Sequence, residues 1–249
     1  MRKLLLIVLS LTLILAVASQ ALARSSRAFR LPKSAIKISE DVYYLGKTAQ
    51  GAEGYAFTYR KGETRTFAKA PKAPACYGFL ARGARWKITE PYVTDINDPA
   101  TETSLETWDS QVSLFNIFDG RDTVYLGVLE ADTVSPDDLN ELYFGDIAEP
   151  NVIGVAIVWG YFYGPPQTRE LIEWDVILDD VDFAWGDNDL DKMDYQNILT
   201  HELGHAAGLN DQYSSDCSEV TMYGYATYGE TKKRDLKPQD ITGIRELYR

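Results

Sequence analysis

The segment from His201 to Asp211, HELGHAAGLND, constrains this chain more than any other stretch. It contains both histidines of the chain, four residues apart. On an α-helix, positions i and i+4 lie one above the other on the same face, so two imidazoles there can hold one metal ion. Glu202 follows the first histidine and is placed to act as a general base. The spacing therefore predicts a helix that carries a metal site.

A catalytic zinc site usually has three protein ligands and one open position. Gly208 follows His205 after two alanines, and glycine readily adopts the left-handed conformation that ends a helix. Asp211 comes where the returning chain can bring a carboxylate to the metal. We predict Zn²⁺ bound by His201, His205 and Asp211, with Glu202 as the catalytic residue. The alternative is an ordinary helix with a fortuitous HExxH pattern.

Residues 1–23 have the pattern of a secretory signal peptide. Two basic residues precede an apolar run from Leu4 to Ala18, and residues 21–23 form an Ala-Leu-Ala cleavage signal. The run is shorter than the about 20 apolar residues that a spanning helix needs. We expect a secreted protein with no stable membrane association after cleavage. The alternative is an uncleaved membrane anchor.

Charge is distributed unevenly along the rest of the chain. Residues 24–72 contain 11 Lys and Arg against 4 Asp and Glu, whereas residues 73–249 contain 12 against 33. The strong excess of acidic residues in 73–249 argues against nucleic acid as a partner. The basic N-terminal part either lies against the acidic body or forms a solvated tail.

A domain boundary is predicted at the segment Lys69–Pro74, which contains two prolines and two lysines. Before it, Asp41–Leu45 and Gly54–Arg60 have the pattern of two strands. We therefore divide the chain into the signal peptide at 1–23, a pro-segment or accessory β-hairpin region at 24–74, and a main domain at 75–249.

Hydrophobic periodicity predicts alternating strands and helices in the main domain. The predicted strands are Ala84–Thr89, Thr123–Leu129, Val152–Trp159 and Glu173–Leu178, and the predicted helices are Thr101–Phe115, Tyr195–Ala207 and Lys237–Tyr248. Residues 136–144 are predicted to form a short helix or a loop.

Cys76 and Cys217 are the only cysteines. An even number of cysteines in a secreted chain favours one disulfide. The alternative is that Cys76 is a thiolate that blocks the zinc in a latent form.

The segment Asp179–Asp194 contains seven aspartates. Alternating acidic side chains in a loop can bind Ca²⁺, which makes a structural calcium site possible. The alternative is a solvated loop in which Asp194 caps the next helix.

Three segments together resemble the matrixin-type metzincins, most closely the small secreted archaeal and bacterial matrixin-like peptidases. They are THELGHAAGLND, Val220-Thr-Met-Tyr-Gly with Met222 where this family has its Met-turn, and the closing LKPQDITGIRELY. The resemblance implies an α/β zincin fold, in which a twisted mixed sheet packs on an active-site helix and a C-terminal helix. Val152–Trp159 would be the edge strand that pairs with a peptide substrate.

The resemblance also implies a function, a secreted, monomeric zinc endopeptidase acting on peptides or proteins, with residues 75–249 as its catalytic domain. The alternatives are a catalytically weak zincin-fold surface binding module and a hydrolase of non-peptide substrates. Tyr223 or Tyr225 is a candidate for assisting at the transition state, although the spacing matches neither.

The chain departs from the family pattern in three ways. Its third ligand is an aspartate, it has no histidines for a structural zinc, and it lacks the matrixin cysteine-switch motif. How latency would be kept therefore stays open at the level of sequence.

Overall fold

The computed structural model describes residues 23–24, 27–62, 75–80, 83–121 and 127–249. The predicted signal peptide, apart from Ala23, and the predicted boundary segment Lys69–Pro74 lie outside these residues. Within the described ranges, the chain forms a mixed β-sheet with helices packed against it. This confirms the predicted α/β fold, with a mixed sheet, a helix that carries both histidines and a C-terminal helix.

The structure assigns eleven strands and three α-helices to these ranges. The strands are β1 (Ala23–Arg24), β2 (Ile36–Ser39), β3 (Val42–Lys47), β4 (Glu53–Lys61), β5 (Glu90–Thr94), β6 (Phe118–Arg121), β7 (Val128–Leu129), β8 (Glu141–Gly145), β9 (Val152–Tyr161), β10 (Glu170–Asp179) and β11 (Tyr225–Ala226). The helices are α1 (Pro99–Asp109), α2 (Tyr195–Ala206) and α3 (Pro238–Leu247).

The main sheet has the strand order β2-β3-β4-β9-β10-β8-β5-β6, and β11 pairs with the end of β4. Strands β10, β8, β5 and β6 run parallel to one another, whereas β9 is antiparallel to both of its neighbours. Strands β1 and β7 form a separate parallel pair.

The centre of the sheet is buried on both faces. Almost every residue of β9 and β10 is buried, and the consecutive apolar residues of β9 suit a strand that is covered on both sides. On one face, Leu178 belongs to the apolar cluster that contains Leu203 of α2. On the other face, Ile157 and Ile177 belong to a second cluster. Each such side chain contributes about 1.5–3 kcal/mol when it is fully buried.

Helix α2 is fixed at its beginning and along its length. The Asp194 side chain accepts a hydrogen bond from the backbone N–H of Asn197 and so caps the first turn. Two buried indoles donate to carbonyl oxygens of α2, Trp108 to Thr200 and Trp86 to Ala206, each at 2.8 Å. The helix therefore has a defined position on the sheet before any ligand is considered.

The N-terminal hairpin of β3 and β4 is part of the main sheet. Eight residue pairs join β4 to β9 in antiparallel register, from Glu53 opposite Gly160 to Arg60 opposite Val152. The prediction that Val152–Trp159 forms an edge strand is therefore wrong, because β4 lies on the side of β9 that faces away from β10. Nothing in the sequence of β9 itself distinguishes an edge strand from an interior one.

Three further sequence predictions differ from the structure. The first strand of the main domain is β5 rather than Ala84–Thr89. In that segment Arg85 forms an isolated β-bridge instead of a strand, and Trp86 is buried in the core. Residues 141–145 form strand β8 rather than a helix or loop, because they pair with β10. Helix α1 ends at Asp109, and Val112 and Phe115, which were predicted to continue it, pack on the core from the irregular segment that follows.

Cys76 and Cys217 form a disulfide, as predicted, with their Cα atoms 5.2 Å apart. It joins the start of the main domain to the loop that follows α2. Among the described residues, no helix has both the length and the apolar character needed to cross a membrane.

Candidate metal centre

The two histidines of α2 are held in the tautomer that binds metals. Nδ1 of His201 lies 2.8 Å from the carbonyl oxygen of Thr221, and Nδ1 of His205 lies 3.1 Å from that of Leu209. Because a carbonyl oxygen only accepts, each Nδ1 carries the proton and donates it. Both Nε2 atoms are therefore left as lone-pair donors, which is the form of imidazole that ligates a metal ion.

A turn at Gly208 brings Asp211 back to these histidines. Gly208 has φ +101°, and a Cβ atom there would lie 2.7 Å from the carbonyl oxygen of Ala84. The returning chain places Oδ1 of Asp211 3.3 Å from Nε2 of His201 and 3.6 Å from Nε2 of His205. The structure therefore brings together the three side chains predicted to be ligands.

These three side chains fit Zn²⁺. Ligand atoms at about 2.0–2.1 Å from a tetrahedral zinc ion lie roughly 3.3 Å from one another, which is close to both distances from Asp211 Oδ1. Among the described residues, Nε2 of His201 and Oδ1 of Asp211 are buried without a hydrogen-bond partner. Buried polar atoms are normally satisfied, so a cation bound between these two atoms would supply the partner that each one lacks.

The protonation states at the site suit a cation. Burial lowers the pKa of His201 and keeps its imidazole neutral, although Asp211 opposes this shift. Burial also acts to raise the pKa of Asp211, but the two histidines outweigh it and hold that pKa below its usual value. A neutral imidazole at His201 and an ionised carboxylate at Asp211 are the forms in which these side chains bind a metal ion.

Glu202 is completely buried beside the ligands, and neither carboxylate oxygen has a hydrogen-bond partner among the described residues. Burial, followed by the charge of Asp211, raises its pKa well above the usual value. Gly154 of β9 makes room for this carboxylate, because a Cβ atom there would lie 2.7 Å from Glu202 Oε1. Sequence reasoning did not identify Gly154 as part of the site.

The side chain of Met222 packs directly against the backbone of α2 at Gly204. A Cβ atom on Gly204 would overlap the Met222 sulfur and lie 2.9 Å from the ring of Trp108. Asp240 of α3 fixes this turn by accepting from the backbone N–H groups of Thr221 and Met222, at 2.9 and 3.3 Å. The carbonyl oxygen of Thr221 in turn accepts from Nδ1 of His201. Asp240 therefore supports the first ligand indirectly, a role that its position in the sequence did not reveal.

Residues 162–249, which contain all of these ligands, match the family model described as Matrixin. This part of the chain is matrixin-like. Matrilysin of Felis catus is 39% identical over 71 residues, which are 28% of this chain and 25% of that protein. Matrix metalloproteinase-19 of Mus musculus is 25% identical over 227 residues, which are 82% of this chain and 42% of that protein. The chain thus spans less than half the length of either curated relative.

In this matrixin-like site, two aromatic rings of β4 cover the predicted ligands. The ring of Tyr59 stacks on His201 with centroids 3.7 Å apart and an interplanar angle of 9°. The ring of Phe57 stacks on His205 at 4.2 Å and 16°. Both rings are buried. Sequence reasoning missed both residues, because it placed them in a separate N-terminal region.

Lys233 is a further residue near the site that sequence reasoning missed. It is fully buried, and its Nζ lies 5.8 Å from the centroid of Tyr59. It donates to the carbonyl oxygen of Tyr225 at 2.9 Å and to the carboxylate of Glu230. Burial lowers its pKa to about 8, although the charge of Glu230 opposes the shift. The candidate transition-state residue Tyr225 uses its hydroxyl to donate to Glu40, which precedes β3.

The predicted calcium loop gains no support. Asp179 accepts from the backbone N–H groups of Val181 and Asp182, Asp194 caps α2 and pairs with Arg234, and Asp189 pairs with Lys192. Within the described ranges, the second group that brings three possible ligand atoms together lies elsewhere, at Asp132, Asp137 and Glu173.

Proposed function

We propose that this protein is a secreted zinc endopeptidase. The observation that carries the proposal is the convergence of His201, His205 and Asp211 on one point beside the buried carboxylate of Glu202. Two imidazoles and a carboxylate are ligands that zinc accepts, and three protein ligands leave a position free for reaction. The matrixin-like match over residues 162–249 supports the same assignment.

The residues of the chain divide the chemistry between them. A bound Zn²⁺ supplies Lewis acidity, which polarises a carbonyl group and acidifies water. Glu202 accepts a proton from the attacking water and later donates it to the leaving amine. Asp211 brings one negative charge, which balances part of the charge of the ion.

The substrate we propose is an extended stretch of peptide or protein. We assign no role to nucleic acid, and we propose a monomer that is secreted after removal of residues 1–23. Residues 24–74 are then an N-terminal region, and residues 75–249 form the catalytic domain.

One observation favours a second candidate function, a zincin-fold binding module with little activity. His201, Glu202 and His205 are at most 1% exposed, and Asp211 is 8% exposed. A peptide bond cannot reach side chains that are covered to this extent. The endopeptidase proposal therefore requires β4 to leave the site.

The proposal is tested with the purified full chain, its zinc content and a digest of denatured casein. We expect about one zinc per chain, and cleavage that is lost with a chelator and restored by added zinc. Cleavage that survives complete removal of zinc would contradict the proposal. A chain that binds zinc but cleaves neither casein nor a peptide library, even with β4 displaced, would favour the binding module.

A further inference from the structure

We propose that β4 occupies the peptide-binding cleft of its own chain and holds the enzyme latent. This inference rests on the proposed function, because a cleft for peptides is meaningful only if the site cleaves them. It goes further in naming the occupant, which is Glu53–Lys61, and the way in which it closes the site.

The backbone of β4 makes the contacts that an extended peptide would make. It is antiparallel to β9 over eight residue pairs. At its end it is also parallel to β11, where the N–H of Gly62 donates to the carbonyl oxygen of Ala226 at 3.0 Å. A peptide that binds by adding a strand to a sheet uses these same backbone groups. While β4 holds them, no second strand can pair with this side of β9.

The side chains of β4 close the space above the ligands. Phe57 and Tyr59 alternate with Ala56 and Thr58, so they point to the same face of the sheet. This face is the one that carries α2, and their rings stack on the two histidines at 4.2 and 3.7 Å. Two aromatic rings in this position exclude both water and a peptide carbonyl from the site.

The residues before β3 fasten the hairpin to the loop that carries the third ligand. The hydroxyl of Tyr213 lies 3.0 Å from Oδ2 of Asp211 and 2.9 Å from the carbonyl oxygen of Glu40. Tyr225 donates to the carboxylate of Glu40 at 2.7 Å. The hairpin is thus hydrogen-bonded to the loop after α2 and paired with the sheet.

An occupant on the same chain has a strong advantage over a free substrate. A tethered segment competes at an effective concentration on the order of millimolar. The measured affinity for a peptide is reduced by the fraction of molecules in which the cleft is open. Substrate at ordinary concentrations therefore reaches the site in only a small fraction of molecules, which gives a low residual activity, and weakening β4 should raise the activity of the full chain.

The first test removes the two rings with Phe57→Ala/Tyr59→Ala in the zinc-loaded full chain. We expect kcat/KM for a peptide substrate to rise roughly tenfold or more, which corresponds to about 1.4 kcal/mol. Zinc should also pass to a chelator faster by a comparable factor. Tyr43→Ala is the matched control, since Tyr43 lies in β3 and packs on the opposite face of the sheet. This control should change neither kcat/KM nor the rate at which zinc passes to a chelator.

The second test locks β4 onto β9 with Thr58→Cys/Val155→Cys. These two residues are opposite one another. The N–H of Thr58 donates to Asp41 on the β3 side, so towards β9 the pair is not hydrogen-bonded and its Cα atoms lie close enough for a disulfide. We expect the oxidised variant to lose the residual activity and to release zinc more slowly. Reduction should restore the starting values, and the unchanged chain with the same reductant controls for loss of the native disulfide.

The outcomes separate this inference from the proposed function. If no variant cleaves peptide but zinc release becomes faster without the rings and slower with the lock, β4 covers a metal site that is not a peptidase. If the oxidised lock cleaves as fast as the unchanged chain, β4 does not block the cleft and the inference is wrong. It is also wrong if the ring variant stays folded and changes neither activity nor zinc release.

Discussion

Two groups of side chains that could hold a metal ion lie on opposite faces of the sheet, and each brings three possible ligand atoms within 4.8 Å of one another. In the first group, Asp211 faces two histidines, which hold its pKa below the usual value against the effect of burial. In the second group, Glu173 faces other carboxylates. Burial, followed by the charge of Asp132, raises the pKa of Glu173 to about 9.

Burial acts to raise the pKa of both carboxyl groups, and the difference shows that cationic or anionic neighbours decide whether this rise is reversed or reinforced. Asp211 and Glu173 are both almost fully buried, yet their pKa values move in opposite directions. The pKa of Asp132 is also raised, to about 6, by burial and then by the charge of Asp137. Asp211 is thus ionised in advance for a cation, whereas Glu173 keeps its proton at neutral pH.

The largest effect is expected from Glu202→Gln, which keeps the shape of the side chain and removes its ability to take a proton. The rate of peptide cleavage should fall by roughly 10²–10⁴-fold, the usual contribution of a general base. Zinc content should stay unchanged, because the residue is not among the three ligands. Kinetics and metal analysis on the same preparation check this, and substantial activity in a fully zinc-loaded variant would remove Glu202 from its role.

Asp211→Asn tests whether the ionised member of the first group is a ligand. Loss of its charge should weaken zinc binding by on the order of a hundredfold, measured by competition with a chelator. Asp211→His offers a neutral ligand at the same place and should retain more of the affinity. If the asparagine variant binds zinc as tightly as the unchanged chain, another residue completes the site.

Gly154→Ala tests how far the position of Glu202 depends on β9. The added Cβ atom would lie 2.7 Å from the carboxylate oxygen, so the side chain has to move. Displacement of a reacting group by about 1 Å can reduce a rate by up to 10²-fold. We expect slower cleavage with unchanged zinc affinity. An equal loss of zinc affinity would instead indicate general damage to α2.

The smallest effect concerns the second group and the dependence of stability on pH. A carboxyl group with a raised pKa keeps its proton in the folded state while the unfolded chain releases it. The stability that Glu173 contributes is therefore complete below the unfolded pKa of about 4.3. It is lost as the pH rises towards the folded pKa of about 9.

Glu173→Gln should therefore flatten the decline of the unfolding free energy with rising pH, by at most about 1.4 kcal/mol per pH unit. Urea denaturation at several pH values measures this slope. Glu130→Gln, which changes a nearby exposed carboxylate, is the control and should leave the slope nearly unchanged. A steeper slope in the Glu173 variant would mean that its pKa is lowered instead.

Much of the site was predictable because its signals are local. His201 and His205 are spaced by one helical turn, Gly208 supplies the turn that follows, and Asp211 lies within reach of it. Helix α2 begins at Tyr195, as predicted from the capping position of Asp194, and ends one residue earlier than expected. Periodicity and capping depend on residues a few positions apart, so the sequence by itself determined this helix and the side chains on it.

The pairing of β4 with β9 depended on tertiary structure, because it joins residues about a hundred positions apart. The sequence of β4 predicts a strand but does not indicate which strand it pairs with. A buried strand such as β9 has the same hydrophobic pattern whether one or two strands pair with it. The stacking of Tyr59 on His201 and the room that Gly154 leaves for Glu202 follow from this pairing. The sequence alone therefore determined which residues form the candidate metal centre, and only the packing of distant strands decided that it is covered.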